Sequence, residues 1–284
     1  MRVAFLGPAG TYSEDALRNA AGGAQLEPMP MATIHAAVMA VEEGAAERAL
    51  VPFENSIEGA VRPTLDALAF DAHGVTIVGE HDQPISTSLI ARRELGLDEI
   101  ELVISHPQAS AQSERFLRTE LPAAKVRGAP STADAVREVA ESDRPWAALG
   151  NATAAAIYGC VVLREGVEDE AGNVTRFVWL APAGTASGGE GEWRTTLSFS
   201  ELGADHPGAL VEALTEFSSR QVNLTRIESR PLRIGGLGRY MFFIDLEGEA
   251  ADEPVAAAID GLRAKAENVR VLGSYPLRTR GIPG

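Results

Sequence analysis

The chain has 284 residues, 45% of them hydrophobic and 23% charged, and a formal net charge of -15. This is the make-up of a soluble globular protein of one large or two ordinary domains, and no apolar run approaches the roughly 18 residues of a membrane span. The charge argues against nucleic acid or an anionic membrane as partner, and an anionic substrate would need a local cationic pocket.

Arg2 to Leu6 is apolar enough for a central strand, and Gly7-Pro8 halts the run before a signal segment develops, which leaves the chain in the cytoplasm. Gly7-Pro8-Ala9-Gly10 turns the chain. Thr11-Tyr12-Ser13-Glu14 then has the capping-box pattern of a helix that Gly22-Gly23 ends. Such a helix start presents free N–H groups and a positive dipole end, a seat for a carboxylate or phosphate. An ordinary βα connection has the same pattern, and the glycine spacing is not G-x-G-x-x-G. Thr33 to Glu43 is a second helix, with Ile34, Ala37, Val38 and Val41 on one face. Arg48 to Phe53 is a strand that delivers Glu54-Asn55-Ser56-Ile57-Glu58-Gly59 to its end, where an open α/β sheet places ligand contacts.

Val75 to Glu80 and Ile85 to Ala91 read as two strands, and Ile100 to Ile104 as a third, ending in Ser105-His106-Pro107. Pro107 suits a first helical turn, with Gln112 one to two turns in. Ser105 beside His106 is not a nucleophilic pair, because adjacent residues lack that geometry and no G-x-S-x-G elbow exists. Val126 to Gly128 with the helix Ala133 to Glu141, and Trp146 to Asn151 with a helix through Tyr158, continue the βα alternation. Cys160 is the only cysteine and the five histidines are scattered, so no disulfide and no metal site is expected. Lys125 and Lys265 are the only lysines; the other basic residues are Arg, which suits bidentate carboxylate binding.

Val161-Val162-Leu163 leads back to Asn173-Val174-Thr175-Arg176-Phe177, a polar entry to an apolar strand that runs into the linker Ala181 to Gly189. Beyond the linker come a strand from Trp193 to Glu201, a helix from Asp205 to about Gln221 and a strand from Asn223 to Pro231. Gly235-Gly236-Leu237-Gly238 turns into an antiparallel neighbour, Arg239 to Leu246. A helix from Pro254 to Ala266 and a strand from Val269 to Ser274 complete a ferredoxin-like βαββαβ unit.

Phe5-Leu6-Gly7-Pro8-Ala9-Gly10-Thr11-Tyr12-Ser13, Val51-Pro52-Phe53-Glu54-Asn55-Ser56 with Glu58-Gly59, Ser105-His106-Pro107 with Gln112, and Thr175-Arg176-Phe177 resemble the successive motifs of the prephenate dehydratase family. The tail resembles its ACT regulatory domain through Gly208-Ala209-Leu210-Val211 and Glu228-Ser229-Arg230-Pro231. The resemblance spans essentially the whole chain. It implies an α/β fold: a two-lobed catalytic domain like the type II periplasmic binding proteins over residues 1-182, plus a ferredoxin-like ACT domain over 193-280. The lobes are expected at 1-76 with 160-182, and at 77-159, with the active site between them. With no chorismate mutase region before Met1 and no dehydrogenase domain, the chain resembles the monofunctional form.

The implied reaction converts prephenate to phenylpyruvate, carbon dioxide and water, without cofactor. Aromatisation drives it, and expelling hydroxide from the ring is the kinetic obstacle. The family assigns proton donation to Thr175. A tight cation beside the ring carboxylate would oppose its loss as carbon dioxide, so neutral donors are expected there from Asn55, Ser105 and Gln112. Arg176 or the helix start at Thr11 would grip the pyruvyl carboxylate, beside Ser56 and Phe177. Glu54 is either a proton relay or a structural hydrogen-bonder. The expected effector is phenylalanine at ACT–ACT interfaces of a homodimer or homotetramer, held by Gly208, Ala209, Leu210, Val211, Asn223, Glu228, Ser229, Arg230 and Pro231. Ser113 stands where many members carry Cys. Arogenate dehydratase, a non-catalytic amino-acid sensor and an oligomerising interaction module are the competing readings.

Overall fold

The computed structural model describes residues 1–202, 206–233, 238–277 and 283. Asp205, the Gly235-Gly236-Leu237 turn and residues 278–280 of the expected ACT domain lie outside them. The first lobe is built on β1 (Arg2–Leu6), β2 (Glu27–Met31), β3 (Arg48–Asn55), β4 (Gly59–Ala60), β5 (Val75–Pro84) and, from far along the chain, β11 (Val174–Pro182). They lie in the order β2-β1-β3-β11-β5, with β4 paired to the end of β3. The first three are parallel, and β11 runs antiparallel to both its neighbours. Sequence reading missed β2, whose Pro28 and Pro30 are tolerated because it is an edge strand.

Period-two alternation gives the sheet two apolar faces. Val3, Phe5, Leu50, Phe177 and Trp179 pack beneath α1 (Tyr12–Ala20). Ala4, Ala49, Val51, Phe53, Val178 and Leu180 pack against α2 (Ile34–Glu42) and α3 (Arg62–Phe70).

The second lobe contains β6 (Ser88–Ala91), β7 (Leu102–Ser105), β8 (Lys125–Gly128), β9 (Trp146–Gly150) and β10 (Val161–Arg164), ordered β10-β6-β9-β7-β8. Its helices are α4 (Pro107–Ala111), α5 (Glu114–Glu120), α6 (Thr132–Ala140) and α7 (Ala152–Tyr158). Both lobe boundaries differ from the sequence expectation. His81, Asp82 and Gln83 look like a connector and the second lobe is expected from residue 77, but register with β11 makes them part of one first-lobe strand reaching Pro84. Val161 and Val162 do not return to the first lobe; they pair with Ala91 and Ile90 of β6. The two crossings between lobes are hydrogen-bonded neighbours: Ile85 N donates to Asn173 O (2.8 Å) and Val167 N to Thr87 O (2.9 Å).

The C-terminal unit follows the expected βαββαβ order: β12 (Trp193–Ser200), α8 (Ala209–Ser218), β13 (Leu224–Pro231), β14 (Tyr240–Glu247), α9 (Glu253–Arg263) and β15 (Arg270–Pro276). Its sheet, β13-β14-β12-β15, continues the first-lobe sheet through one parallel contact, Gly273 on Ile77. A Cβ at Gly273 would lie 2.2 Å from Ile77 O, so only glycine permits this approach. Among the described residues no helix is long and apolar enough to cross a membrane.

Candidate functional site in the interlobe cleft

Thr175 stands directly opposite Asn55 at the end of β3, and Arg176 opposite Glu54. Successive strand residues point to opposite faces, so this register sorts the four side chains. Thr175 and Asn55 open into the space between the lobes, whereas Arg176 and Glu54 line a separate pocket on the other face. The interlobe cavity, of about 480 Å³, is lined by Thr11, Asn55, Gln112, Thr175 and Phe177 among the expected site residues.

The threonine is tightly placed. Asn55 Nδ2 donates to Thr175 Oγ1 (2.9 Å) and to Asn173 Oδ1 (2.6 Å), while Asn55 Oδ1 accepts from Ile57 N (3.0 Å) and Glu58 N (2.9 Å). Thr11 caps α1 by accepting from Glu14 N (3.4 Å) and donates to Leu6 O (3.0 Å). The reciprocal arm of the capping box is displaced by one residue, since Glu14 Oε2 accepts from Gly10 N (2.7 Å). Gln112 Nε2 donates to Glu58 Oε1 (3.2 Å), joining the second lobe to the turn after β3. Tyr12 OH donates to Ser86 O (3.0 Å), and Tyr158 OH donates to Ala9 O (3.0 Å) across the lobes. Burial pushes the Tyr12 hydroxyl up to about 12, so it remains neutral.

The described lining holds neither Arg nor Lys, contrary to the cationic pocket expected for an anionic substrate. Its one carboxylate, Asp134, accepts from Ser131 Oγ (2.7 Å) and Arg137 Nη2 (2.6 Å). Positive potential comes instead from the N-terminal turns of α1 and α6, whose Thr11, Tyr12, Ser131 and Thr132 line opposite walls.

Of the expected site residues, Arg176, Glu54 and Ser56 lie on the far face and Ser105 is sealed. Arg176 Nη2 donates to Asp245 Oδ2 (2.5 Å) and Glu54 Oε2 (2.9 Å), and Nη1 to Glu80 Oε2 (3.4 Å). It is therefore an internal ion-pair residue and not a carboxylate grip. Ser56 Oγ accepts from Val174 N (3.0 Å). Ser105 is fully buried and donates to Leu149 O (3.1 Å). Arg226 Nε (2.9 Å) and Thr196 Oγ1 (2.8 Å) also donate to Asp245, so β14 is tied to β11 by charge. Burial alone would raise the Asp245 pKa, but Arg176 and Arg226 pull it down to about 2.

Residues 3–185 match the family model for prephenate dehydratase, and residues 197–264 match that for the ACT domain. The chain belongs to the prephenate dehydratase family. A prephenate dehydratase of Mycobacterium marinum is 41% identical over 285 residues, covering 97% of this chain and 88% of that one. The structure of a prephenate dehydratase from Arthrobacter aurescens in complex with L-Phe is 39% identical, with a TM-score of 0.89 over 100% of this chain and 92% of that one. GqqA, described as a quorum-quenching acylase, is 34% identical with a TM-score of 0.85, covering 98% of each chain. The family's reaction, decarboxylating dehydration of prephenate in phenylalanine biosynthesis, is a lyase reaction.

In the ACT domain, Gly208, Ala209 and Leu210 line a cavity with Leu232, Tyr240 and Phe242. Val211 points away and is 66% exposed. The backbone O of Asn223 accepts from Glu247 N (3.0 Å), and neither Asn223 nor Glu228, Ser229, Arg230 or Pro231 lines that cavity. Arg230 instead forks onto Asp66 of α3, with Nε 3.0 Å and Nη2 2.9 Å from Oδ1. Asn173 and Tyr12 line the interlobe cavity, and sequence reasoning misses both as site residues. For Asn173 the signal was present, because it lies two before Thr175 and so shares its face.

Proposed function

We propose that the interlobe cleft dehydrates prephenate, with Thr175 donating a proton to the leaving hydroxyl. The observation that carries this is the Asn55 amide bond to Thr175 Oγ1, at 2.9 Å. Because the threonine oxygen already accepts, its own proton is directed away from Asn55 and toward the cleft. The C1–carboxylate bond breaks and its electron pair enters the ring. The C4–O bond then breaks with that oxygen protonated, so one proton is taken up for each prephenate converted to phenylpyruvate, carbon dioxide and water. A threonine hydroxyl is a weak acid, so it acts as a positioned donor resupplied from water.

The absence of Arg and Lys from the described lining suits this chemistry, because a cation would hold the ring carboxylate in its charged form. The N-terminal turns of α1 and α6 and the Gln112 amide are the groups suited to the two carboxylates. Asn55 spends both amide protons within the protein, which makes it a positioning residue. The one lining carboxylate is already paired, which supports prephenate over its ammonium-bearing counterpart arogenate. Among the described hydrogen bonds no imidazole meets Thr175, and His106 Nδ1 accepts from Gln108 N, so an acylase reading gains no support.

Phenylalanine is the proposed effector, in the cavity at Gly208 to Leu210, by analogy with the L-Phe complex of the Arthrobacter aurescens relative. The exposed Val211 and Ile227 suit burial by a second copy, whose Glu228-Ser229 strand would complete the site in a homodimer or homotetramer. A cytoplasmic location goes with this reading. The test is phenylpyruvate formation from prephenate, with arogenate in parallel and each repeated with phenylalanine. Prephenate turnover that responds to phenylalanine supports both sites, turnover of arogenate alone changes the substrate, and silence with both overturns the proposal.

A further inference from the structure

We propose that Asn173 is a positioning residue for the reaction, acting on Thr175 through Asn55; this rests on the proton-donor reading of Thr175. Asn55 Oδ1 accepts from two backbone N–H groups, Ile57 and Glu58, so the amide cannot be flipped and Nδ2 must face β11. That nitrogen has two protons and three acceptors in reach: Asn173 Oδ1 at 2.6 Å, Thr175 Oγ1 at 2.9 Å and Val174 O at 3.4 Å. Asn173 is the shortest of the three and takes one proton. The other goes to Thr175, whose distance is the better of the remaining two.

Without Asn173 the amide loses its shortest bond on the nitrogen side and is free to swing toward Val174 O, which loosens its bond to Thr175 Oγ1. The threonine rotor is then no longer held with its hydrogen toward the cleft. Asn173 itself is 6% exposed and lines the same cavity, and its backbone O accepts from Ile85 N at the crossing between lobes. Its side chain is therefore fixed at one end by the chain and at the other by Asn55. Asn173 Oδ1 points to Asn55, which turns Asn173 Nδ2 away from that amide.

The experiment is a double-mutant cycle in the full chain, with melting temperature recorded for each variant. Asn173→Ala is expected to lower kcat roughly 10- to 100-fold with KM moved less than about threefold, the loss typical of a misplaced reacting group. Asn55→Ala should lose kcat similarly, and the double variant should lie within about threefold of Asn55→Ala alone, because Asn173 acts through that amide. Asn173→Asp keeps an acceptor for Asn55 Nδ2 and should recover most of the kcat lost in Asn173→Ala, while its charge raises KM for a dianionic substrate. Multiplying losses in the cycle, or an aspartate variant as slow as the alanine one, would show a merely structural role and overturn the inference. Should Thr175→Ala abolish turnover while Asn173→Ala leaves kcat within twofold, the inference falls and the donor reading stands. Should Thr175→Ala itself keep its turnover, the donor reading is what fails.

Discussion

Replacing Asp245 by asparagine keeps the shape of the side chain and removes its charge at the junction of the two domains. The native carboxylate is fully buried and takes hydrogen bonds from Arg176, Arg226 and Thr196. Its pKa falls from 3.8 to about 2, despite burial, because of Arg176 and Arg226. A shift of that size stabilises the folded state by about 2 kcal/mol. The asparagine also removes the counter-charge of a buried cation. Arg176 keeps Glu54 and Glu80, but Arg226 Nη1 and Nη2 already lack hydrogen-bond partners, and Asp245 is its only ion-pair partner among the described residues. Breaking a buried pair from one side costs about 3–5 kcal/mol, a large part of a domain's roughly 5–15 kcal/mol. Urea unfolding followed by tryptophan fluorescence and circular dichroism should show a loss of about 3 kcal/mol at pH 7. A depressed carboxylate pKa contributes fully above about pH 4 and is lost as pH falls through about 2. The gap between wild type and variant should therefore shrink by about 2 kcal/mol between pH 4 and pH 2. A gap below about 1 kcal/mol at pH 7, or one unchanged in acid, would refute the charge argument.

Thr175→Ala should lower kcat roughly 10²- to 10⁴-fold with little change in KM; equal losses of turnover and binding in steady-state kinetics would count against proton donation. Ser113→Ala should stabilise the second lobe by about 1 kcal/mol, because the fully buried Ser113 Oγ has no partner; a lower unfolding midpoint would show a partner instead. Gly273→Ala should cost about 1–3 kcal/mol by forcing β15 from β5; an unchanged thermal melt would mean that the seam tolerates separation.

The parts of the fold legible in the sequence are those that local pattern decides. The C-terminal βαββαβ order follows from apolar alternation and turn residues, and the α1 cap from Thr11. What escaped depends on register between distant strands. Whether His81 to Gln83 is connector or strand is settled by β11, about ninety residues away. The ion pairs of Arg176 draw on Glu54, Glu80 and Asp245, residues of three other strands. One local rule was available: neighbours on a strand face opposite ways, so Thr175 and Arg176 could not both reach one ligand.

That alternation makes β11 a shared wall. Thr175 and Phe177 line the interlobe cavity, and Arg176 between them fastens the strand to Asp245 of β14, the strand whose Tyr240 and Phe242 line the ACT cavity. The relative strength of the ties identifies the part free to move. Separating β14 from β11 breaks buried charge pairs at several kcal/mol, more than the 1–3 kcal/mol typical of coupling between two sites. The ACT domain and the first lobe therefore travel together. Opening the cleft instead breaks single hydrogen bonds from Tyr12, Gln112 and Tyr158, each worth about 1 kcal/mol. An effector acting at the ACT cavity has enough free energy to shift the second lobe against this joined body, and too little to pull the joined body apart.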